Sequence, residues 1–442
     1  MRFTDQETLI ANGCTPSLRT KRRDILTMLA AAIDAADPSM VVAQTLEKKT
    51  VSYNGVTVDF SSFAHIDLVA FGKASLKMAQ AALKVLPIRR GTVISPTPAP
   101  PFTDTIEVIV GGHPLPTQGS IQGAEKALTI LSQEGDTDLV LILISGGGSS
   151  LFEKPCVPLE DLRRLTTTLL ASGATIDELN IIRRHLSFVK GGQLIPKTKA
   201  TIVSLIISDV VHDPLESIAS GPTAPDPSTF QDAVDVLTKY DLLSKIPSSI
   251  TEYLSKGVSG SVSETLKPGD PAFACVRNLL IANNSCACHA AATTATNLGY
   301  TALIPSSTTT GEARTIGDIL VHNAKEHPMK HLAIITGGET TVRVTGQGQG
   351  GRNQELVLGA VRQLTGTDFV LASCATDGVD GNSPAAGALA DGCTLTRAQK
   401  AGRDPDEALR HNDSYPFFIH LHDSLHCGPT GTNVMDLSIL LE

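Results

Sequence analysis

Leu139-Val140-Leu141-Ile142-Leu143-Ile144 runs without a polar interruption into Ser145-Gly146-Gly147-Gly148-Ser149-Ser150. An unbroken apolar run cannot alternate between a wet face and a dry one. It therefore reads as a strand buried on both faces, the habit of parallel sheets. The polar, glycine-rich stretch after it falls at the strand's carboxyl end, where open α/β sheets bind their ligands. The same order recurs at 66–71 before Gly72-Lys73-Ala74-Ser75 and at 202–207 before Ser208-Asp209. It recurs again at 332–335 before Thr336-Gly337-Gly338-Glu339, and at 369–374 before Ala375-Thr376-Asp377-Gly378. Helical spacings lie between these runs: Leu159, Leu162, Leu165 and Leu169, then Phe230, Val234 and Leu237, then Val357, Val361 and Leu364. Asp226-Pro227 reads as an N-cap followed by proline at the first helical position. Strands alternating with helices predict an α/β protein with parallel sheets.

A chain of 442 residues is long for one core and predicts about two to three domains. The stretch 244–271, rich in Ser, Gly and Pro, reads as a surface segment or domain connection, and a fresh strand–helix–strand unit is expected near Leu279. The expected division is residues 1–270, a Rossmann-like N-terminal domain, and 271–442, a smaller α/β C-terminal domain. A net charge of −9 with 18% charged residues gives no support to nucleic-acid or acidic-membrane binding. No apolar run approaches the ~20 residues that span a bilayer, and the N-terminus lacks a signal pattern. The eight cysteines contain no CxxC pair and are expected to be buried, reduced thiols. The expectation is a cytoplasmic protein of small-molecule substrates, with a homodimer left open.

Taken residue by residue, the loops favour anions. Lys73 follows a glycine turn near a helix start, where backbone amides already attract negative charge; a solvated surface lysine is the plain alternative. Ser145, Gly146, Gly147, Gly148, Ser149 and Ser150 offer amides that can approach a phosphate closely, although the Walker GxxxxGK[ST] pattern is absent. The stretch from Asp209 through His212 and Asp213 to Gly221 and Thr223 adds a strand-end carboxylate of the kind that holds Mg²⁺. Capping is the alternative for Asp209. Glu339 leads into Gly346-Gln347-Gly348-Gln349-Gly350-Gly351, which opens a helix at Arg352-Asn353. A cation there opposes the helix dipole and points to an anionic ligand, unless Arg352 simply pairs with Glu355. Asp377 and Asp380, in a glycine turn, are either metal ligands or turn-formers. His113 lies in a turn, without an assigned role. These features suit phosphoryl transfer, which is mostly positioning and charge stabilisation.

The motifs resemble the type-2, MOFRL-containing glycerate kinases over nearly the whole chain. The resemblance rests on GKAS at 72–75, SGGGSS at 145–150, NIIRRHLSFVKGGQL at 180–194 and SDVVHDPLESIASGPTAPDPSTF at 208–230. GGETTVRVTGQGQGGRNQEL at 337–356, TDGVDG at 376–381 and GPTGTNVMDL at 428–437 complete it. It implies a Rossmann-like domain and a MOFRL domain with the active site in the cleft between them. It also implies ATP and Mg²⁺ as requirements, D-glycerate as acceptor and 2-phosphoglycerate as product. The family's proposed catalytic lysine and arginine match Lys73 and Arg352. The nucleotide is expected on the loop 145–150 with Gly221 and Thr223, the substrate on Lys73, Glu339, Arg352 and Asn353, and the metal on Asp209 and Asp377. Two departures stand out: Cys286 and Cys288 lie where relatives are often alanine-rich, and His212 stands where relatives often have glycine. One rival is hydroxypyruvate reductase, because Gly346, Gly348 and Gly351 nominally fit G-x-G-x-x-G. The other is a non-catalytic sensor of sugar acids or nucleotides.

Overall fold

A computed structural model describes residues 3–53 and 55–442 as two compact α/β units, Pro38–Ile281 and a discontinuous unit made of Met1–Asp37 and Ala282–Glu442. The division after residue 281 lies close to the one expected near 270, and the N-terminal helical segment, which the sequence left open to either domain, is placed by the structure. Residues 3–37 belong with the C-terminal unit, and the boundary falls at the end of the strand Val276–Ala282, which is the last strand of the first sheet. The strand read near Leu279 closes the old unit, and only the helix Asn284–Asn297 behind it opens the new one.

In the unit Pro38–Ile281, the sheet runs Ile106–Val110, Ile88–Ser95, His65–Phe71, Asp138–Ile144, Thr201–Ile207, Val276–Ala282. Counted along the chain from His65–Phe71, that is the doubly wound order 3-2-1-4-5-6, the Rossmann arrangement. The pairings among the first five of these strands are parallel. Every residue of Asp138–Ile144 is buried, as the opening run requires. The order reverses between His65–Phe71 and Asp138–Ile144, where Phe71 pairs with Ile144. The loops that follow these two strands therefore leave the sheet side by side at the switch point, the crevice where such sheets bind ligands.

A second core lies in the same unit. Leu162, Leu165 and Leu169 of Leu159–Ser172 pack with Ile182, Phe230, Leu237, Ile250 and Leu254 from the helices Ile176–His185, Phe230–Lys239 and Ser248–Val258. The stretch read as a surface connection thus contributes a core helix, because Ile250 and Leu254 sit one turn apart on a buried face. The Asp226-Pro227 cap is also corrected. Phe230–Lys239 starts later, with Thr229 as N-cap and Asp232 closing a capping box. Asp226 is instead buried against Arg184 at 2.8 Å.

The sheet of the other unit departs from the parallel expectation. Its order is Ser424–Leu425, Gly387–Asp391, Val370–Ala375, Asp436–Leu441, Leu332–Gly338, Thr301–Thr309, and only the last two strands run parallel. Hairpin-type returns such as that from Val370–Ala375 to Gly387–Asp391 carry no helical signature, so the alternation rule does not see them. The helix Pro16–Ala35 packs on Asn284–Asn297 and buries Ile25, Leu26, Met28 and Leu29. Arg22 on it is fully buried, its Nε 2.6 Å from Asp391 and its Nη1 2.8 Å from Asp423. Cys14 and Cys393 form a disulfide with Cα atoms 6.4 Å apart, so two of the cysteines expected as free thiols are paired. Among the described residues, no single helix is long and apolar enough to cross a membrane.

Candidate functional site

At the switch point three loops interlock within one unit. Lys73 N donates to Gly146 O at 2.9 Å, and Ala74 N donates to Ser145 Oγ at 3.1 Å, which ties the lysine turn to the glycine loop. Ile144 pairs with Ile206, which brings the third strand-end alongside. A Cβ on Gly146 would stand 2.0 Å from Asp209 Oδ2, so only glycine admits that carboxylate beside the loop. Gly147 has φ 80°, and a Cβ there would lie 2.9 Å from His113 Cδ2 and 3.3 Å from Lys73 Cγ. Lys73, the loop 145–150 and Asp209 are thus brought together as the sequence suggested. His113 joins them, although nothing in its turn signalled that. Its imidazole is held below the usual range by desolvation first and by the charges of Lys73 and Arg183 second. Among the described residues, the amides of Gly146 and Gly147 have no hydrogen-bond acceptor and the ammonium of Lys73 has no ion pair.

Around this cluster, serines fix the loop. Ser149 Oγ lies 2.8 Å from Ser220 Oγ, which donates to Asn180 Oδ1 at 2.9 Å, and Ser150 Oγ donates to Pro114 O at 2.6 Å. Below it the rings of Phe71 and Phe152 stack at 4.3 Å. Thr223, expected among the nucleotide ligands, is buried with its hydroxyl donating to Asn278 Oδ1 at 2.8 Å and accepting from Ser204 at 3.1 Å. That commits its hydroxyl to the interior and leaves it none to offer a nucleotide, contrary to the expectation. Gly221 has φ 63° and a Cβ on it would stand 2.9 Å from Glu216 Cα, so its glycine serves the turn. His212, at the position where the resemblance leads one to expect glycine, has φ 67°. That left-handed conformation explains the glycine and is one that histidine tolerates better than most residues.

The second group of candidate residues lies in the other unit. Arg352 opens the helix Arg352–Leu364, and its fork grips Asp436, Nε to Oδ2 at 2.5 Å and Nη2 to Oδ1 at 3.2 Å, while Nη1 reaches Glu339 at 2.6 Å. The anionic partner demanded by the helix dipole is therefore supplied by the protein, and it is not Glu355, which pairs with Arg314. Burial pushes Asp436 up to about 6 against the opposing pull of Arg352. The helix start is closed by Asp380, which takes the amides of Asn353 and Gln354 at 3.1 and 2.9 Å and both side-chain amides as well. Asn353, expected to bind substrate, is buried, with its carboxamide spent on Asp380 and Ser373. Its carboxamide supports the helix start rather than a substrate. Asp377 Oδ1 accepts from Val379 N at 3.0 Å, the self-satisfied turn that was the alternative to metal binding. Beside Arg352's partner, a cavity of about 10 Å³ lined by Gly337, Asn353, Ser373 and Asp436 takes at most one water.

The glycine run 346–351 is not an open cradle. Thr345 N and Gly346 N donate to Asn412 Oδ1 at 2.7 and 2.8 Å, Gly348 N donates to His411 O, and Gly350 N donates to Asn382 Oδ1. With Gln349 N donating to Asp413 as well, most of the amides that a dinucleotide fingerprint would offer to pyrophosphate are taken, which counts against reading the nominal G-x-G-x-x-G match as a nicotinamide site. Among the described residues, no cluster of three or more His, Cys, Asp or Glu side chains could enclose a metal. Mg²⁺ needs no such cage when one or two carboxylates and substrate phosphates share it, and Asp209 beside the glycine loop fits that pattern.

Residues 24–255 match the family described as a domain of unknown function, DUF4147, and residues 332–436 match the MOFRL family. The chain is 41% identical over 428 residues to a glycerate 2-kinase of Pyrococcus horikoshii, covering 94% of this chain and 96% of that protein. It is 39% identical to a D-glycerate 2-kinase of Thermotoga maritima, covering 92% and 95%. A putative hydroxypyruvate reductase of Agrobacterium vitis is 38% identical, covering 93% and 92%. The solved structure of a Thermotoga maritima glycerate kinase superposes with a TM-score of 0.85 at 38% identity, covering 96% of this chain and 99% of that one. A solved Pyrococcus horikoshii structure gives the same score at 39% identity, with coverages of 95% and 98%.

Proposed function

From the premise that this chain belongs to the glycerate kinase family built of DUF4147 and MOFRL domains, we propose that it transfers the γ-phosphoryl group of ATP to the 2-hydroxyl of D-glycerate. The new bond joins that hydroxyl oxygen to phosphorus, the bond to the β-phosphate oxygen breaks, ADP departs and the hydroxyl proton is released. The observation that carries this reading is a contrast between two glycine-rich helix starts. In the run 346–351 the amides of Gly346, Gly348, Gln349 and Gly350 are occupied by protein acceptors, whereas those of Gly146 and Gly147 are open beside an unpaired Lys73, at the switch point of a Rossmann sheet. We therefore assign the nucleotide phosphates to the loop 145–150 and charge neutralisation to Lys73.

Arg352, held rigid by Asp436 and Glu339, is assigned to the developing negative charge, and Glu339 to its orientation. Asp209, beside the loop, would hold a Mg²⁺ ion shared with the nucleotide phosphates. When bound, the ion neutralises phosphate charge. The test is product formation from D-glycerate and ATP, with the phosphorylated carbon identified by NMR. We expect 2-phosphoglycerate and ADP in equal amounts, loss of activity with EDTA and recovery with Mg²⁺. Oxidation of NADH by hydroxypyruvate, with no ADP formed from D-glycerate, would instead establish the reductase. Full activity in metal-free protein would remove Asp209 from its role.

A further inference from the structure

The sequence Arg183-Arg184-His185 closes the helix Ile176–His185, and two of its three basic groups have partners. Arg184 Nε is 2.8 Å from Asp226, and His185 Nε2 is 3.2 Å from Glu264. Arg183 makes neither a hydrogen bond nor an ion pair among the described residues. It is nonetheless partly buried, and removing an unpaired guanidinium from water is costly. Desolvation accordingly depresses its pKa, with the charge of Glu153 acting the other way. Glu153 itself is engaged by Lys190 at 2.5 Å and by Ser187 at 2.6 Å.

The helix face that carries Arg183 is fixed by geometry. Asn180, three residues earlier, accepts from Ser220, whose hydroxyl touches Ser149 of the glycine loop at 2.8 Å. Residues three apart share a helix face, so Arg183 continues the face that is tied to that loop. His113, packed on Gly147, senses the charges of both Lys73 and Arg183. Two cations without ion-pair partners and the open amides of Gly146 and Gly147 thus converge from three segments of one unit.

We propose that Arg183 is an oxyanion-binding residue of this site, sharing with Lys73 an anionic group of a substrate held at the loop 145–150. The proposal rests on the assignment of that loop to anion binding made above. A guanidinium fork grips a phosphate or a carboxylate equally well in geometric terms. The two sources are the nucleotide's phosphates and the carboxylate of glycerate, and kinetics separate them.

The full-length protein would carry Arg183→Met, which keeps the apolar stem, or Arg183→Lys, which keeps the charge without the fork. KM for ATP, KM for D-glycerate, kcat and the thermal midpoint would be measured, with ATP affinity by calorimetry. Loss of a charged hydrogen bond predicts a rise of about 10- to 100-fold in one KM for Arg183→Met, with partial recovery in Arg183→Lys. A rise in KM and calorimetric Kd for ATP assigns the phosphates; a rise confined to KM for D-glycerate assigns the carboxylate. Both KM values unchanged, with or without a lower midpoint, overturns the proposal and makes Arg183 structural. If Arg183→Met does not fold, Arg183→Lys decides, since an unchanged KM for both substrates in that variant also overturns it. Gly147→Val serves as the parallel control. Lost ATP affinity in Gly147→Val with both KM values intact in the Arg183 variants leaves the loop assignment standing and removes Arg183 alone. Intact ATP affinity in Gly147→Val removes the loop assignment itself.

Discussion

At the residue scale, the site is built from positions where one atom decides. Gly147 holds φ 80° with the His113 ring 2.9 Å from where a Cβ would stand, so Gly147→Val carries both backbone strain and a collision. We expect ATP affinity, read by calorimetry, to fall by at least about tenfold in a protein that retains its circular dichroism. Arg352 behaves differently. Removing it leaves Asp436 buried without its partner, so Arg352→Ala should lower the thermal midpoint as well as kcat, whereas Lys73→Ala should lower kcat alone, since its ammonium makes no ion pair. Asp436 also predicts a pH dependence. Its folded pKa, pushed up to about 6, lies above that of an unfolded carboxylate, so the native protein takes up the proton first as pH falls. The contribution of Asp436 to stability therefore grows as pH drops from about 6 toward about 4, while its hold on Arg352 weakens. Activity should decline through pH 6 without a matching loss of fold. Asp436→Asn, already neutral, should lack that limb in a kcat profile; an unchanged limb would assign it to another group.

At the element scale, the helix Arg352–Leu364 starts on a borrowed cap. Asp380 comes from a loop some 27 residues on in sequence and takes two backbone amides and two side-chain amides in a buried setting. Asp380→Ala should cost at least about 2 kcal/mol, a cap plus buried donors left unmet, visible as a lower midpoint in thermal unfolding. Such a cap is illegible in sequence, because local cap rules look only a few residues back. The true start of Phe230–Lys239 escaped for a different reason: two local devices competed, Asp226-Pro227 looked adequate, and Thr229 with Asp232 was the one used. The buried strands were legible, because 138–144 and 201–207 have no wet face to disguise their period. With them came Lys73, the loop 145–150 and Asp209, whose positions follow from strand ends. His113 and Arg183 were not legible, since they reach the loop by folding across other segments. Asn353 and Thr223 looked like ligands because polar side chains in a motif do not reveal which bonds the interior has already claimed.

At the scale of the whole molecule, the chain begins and ends in the same unit. The helix Pro16–Ala35 lies on Asn284–Asn297, and its Arg22 is the buried counter-charge of Asp391 and Asp423, more than 360 residues away in sequence. Composition and periodicity gave the helix but not its address, because an amphipathic helix fits either unit equally well. Two attachments hold it, and they differ in kind. Cys14–Cys393 spans a sequence separation of 379 residues and acts chiefly by restricting the unfolded chain, worth about 2–4 kcal/mol in typical cases. Arg22 acts in the folded state, and its loss leaves the buried Asp391 without its ion-pair partner and Asp423 with Arg397 alone, a change that typically costs about 3–5 kcal/mol. We therefore expect Arg22→Ala to lower the thermal midpoint more than Cys14→Ser. Reductant should reproduce the Cys14→Ser midpoint in the wild-type protein and leave that of Cys14→Ser unchanged. Neither change touches the residues assigned to chemistry, so kcat measured well below the transition should stay near wild type in Cys14→Ser. A midpoint insensitive to both Cys14→Ser and reductant would show that the crosslink carries no stability, and that Arg22 with the apolar face of Pro16–Ala35 holds the N-terminal segment in place by itself.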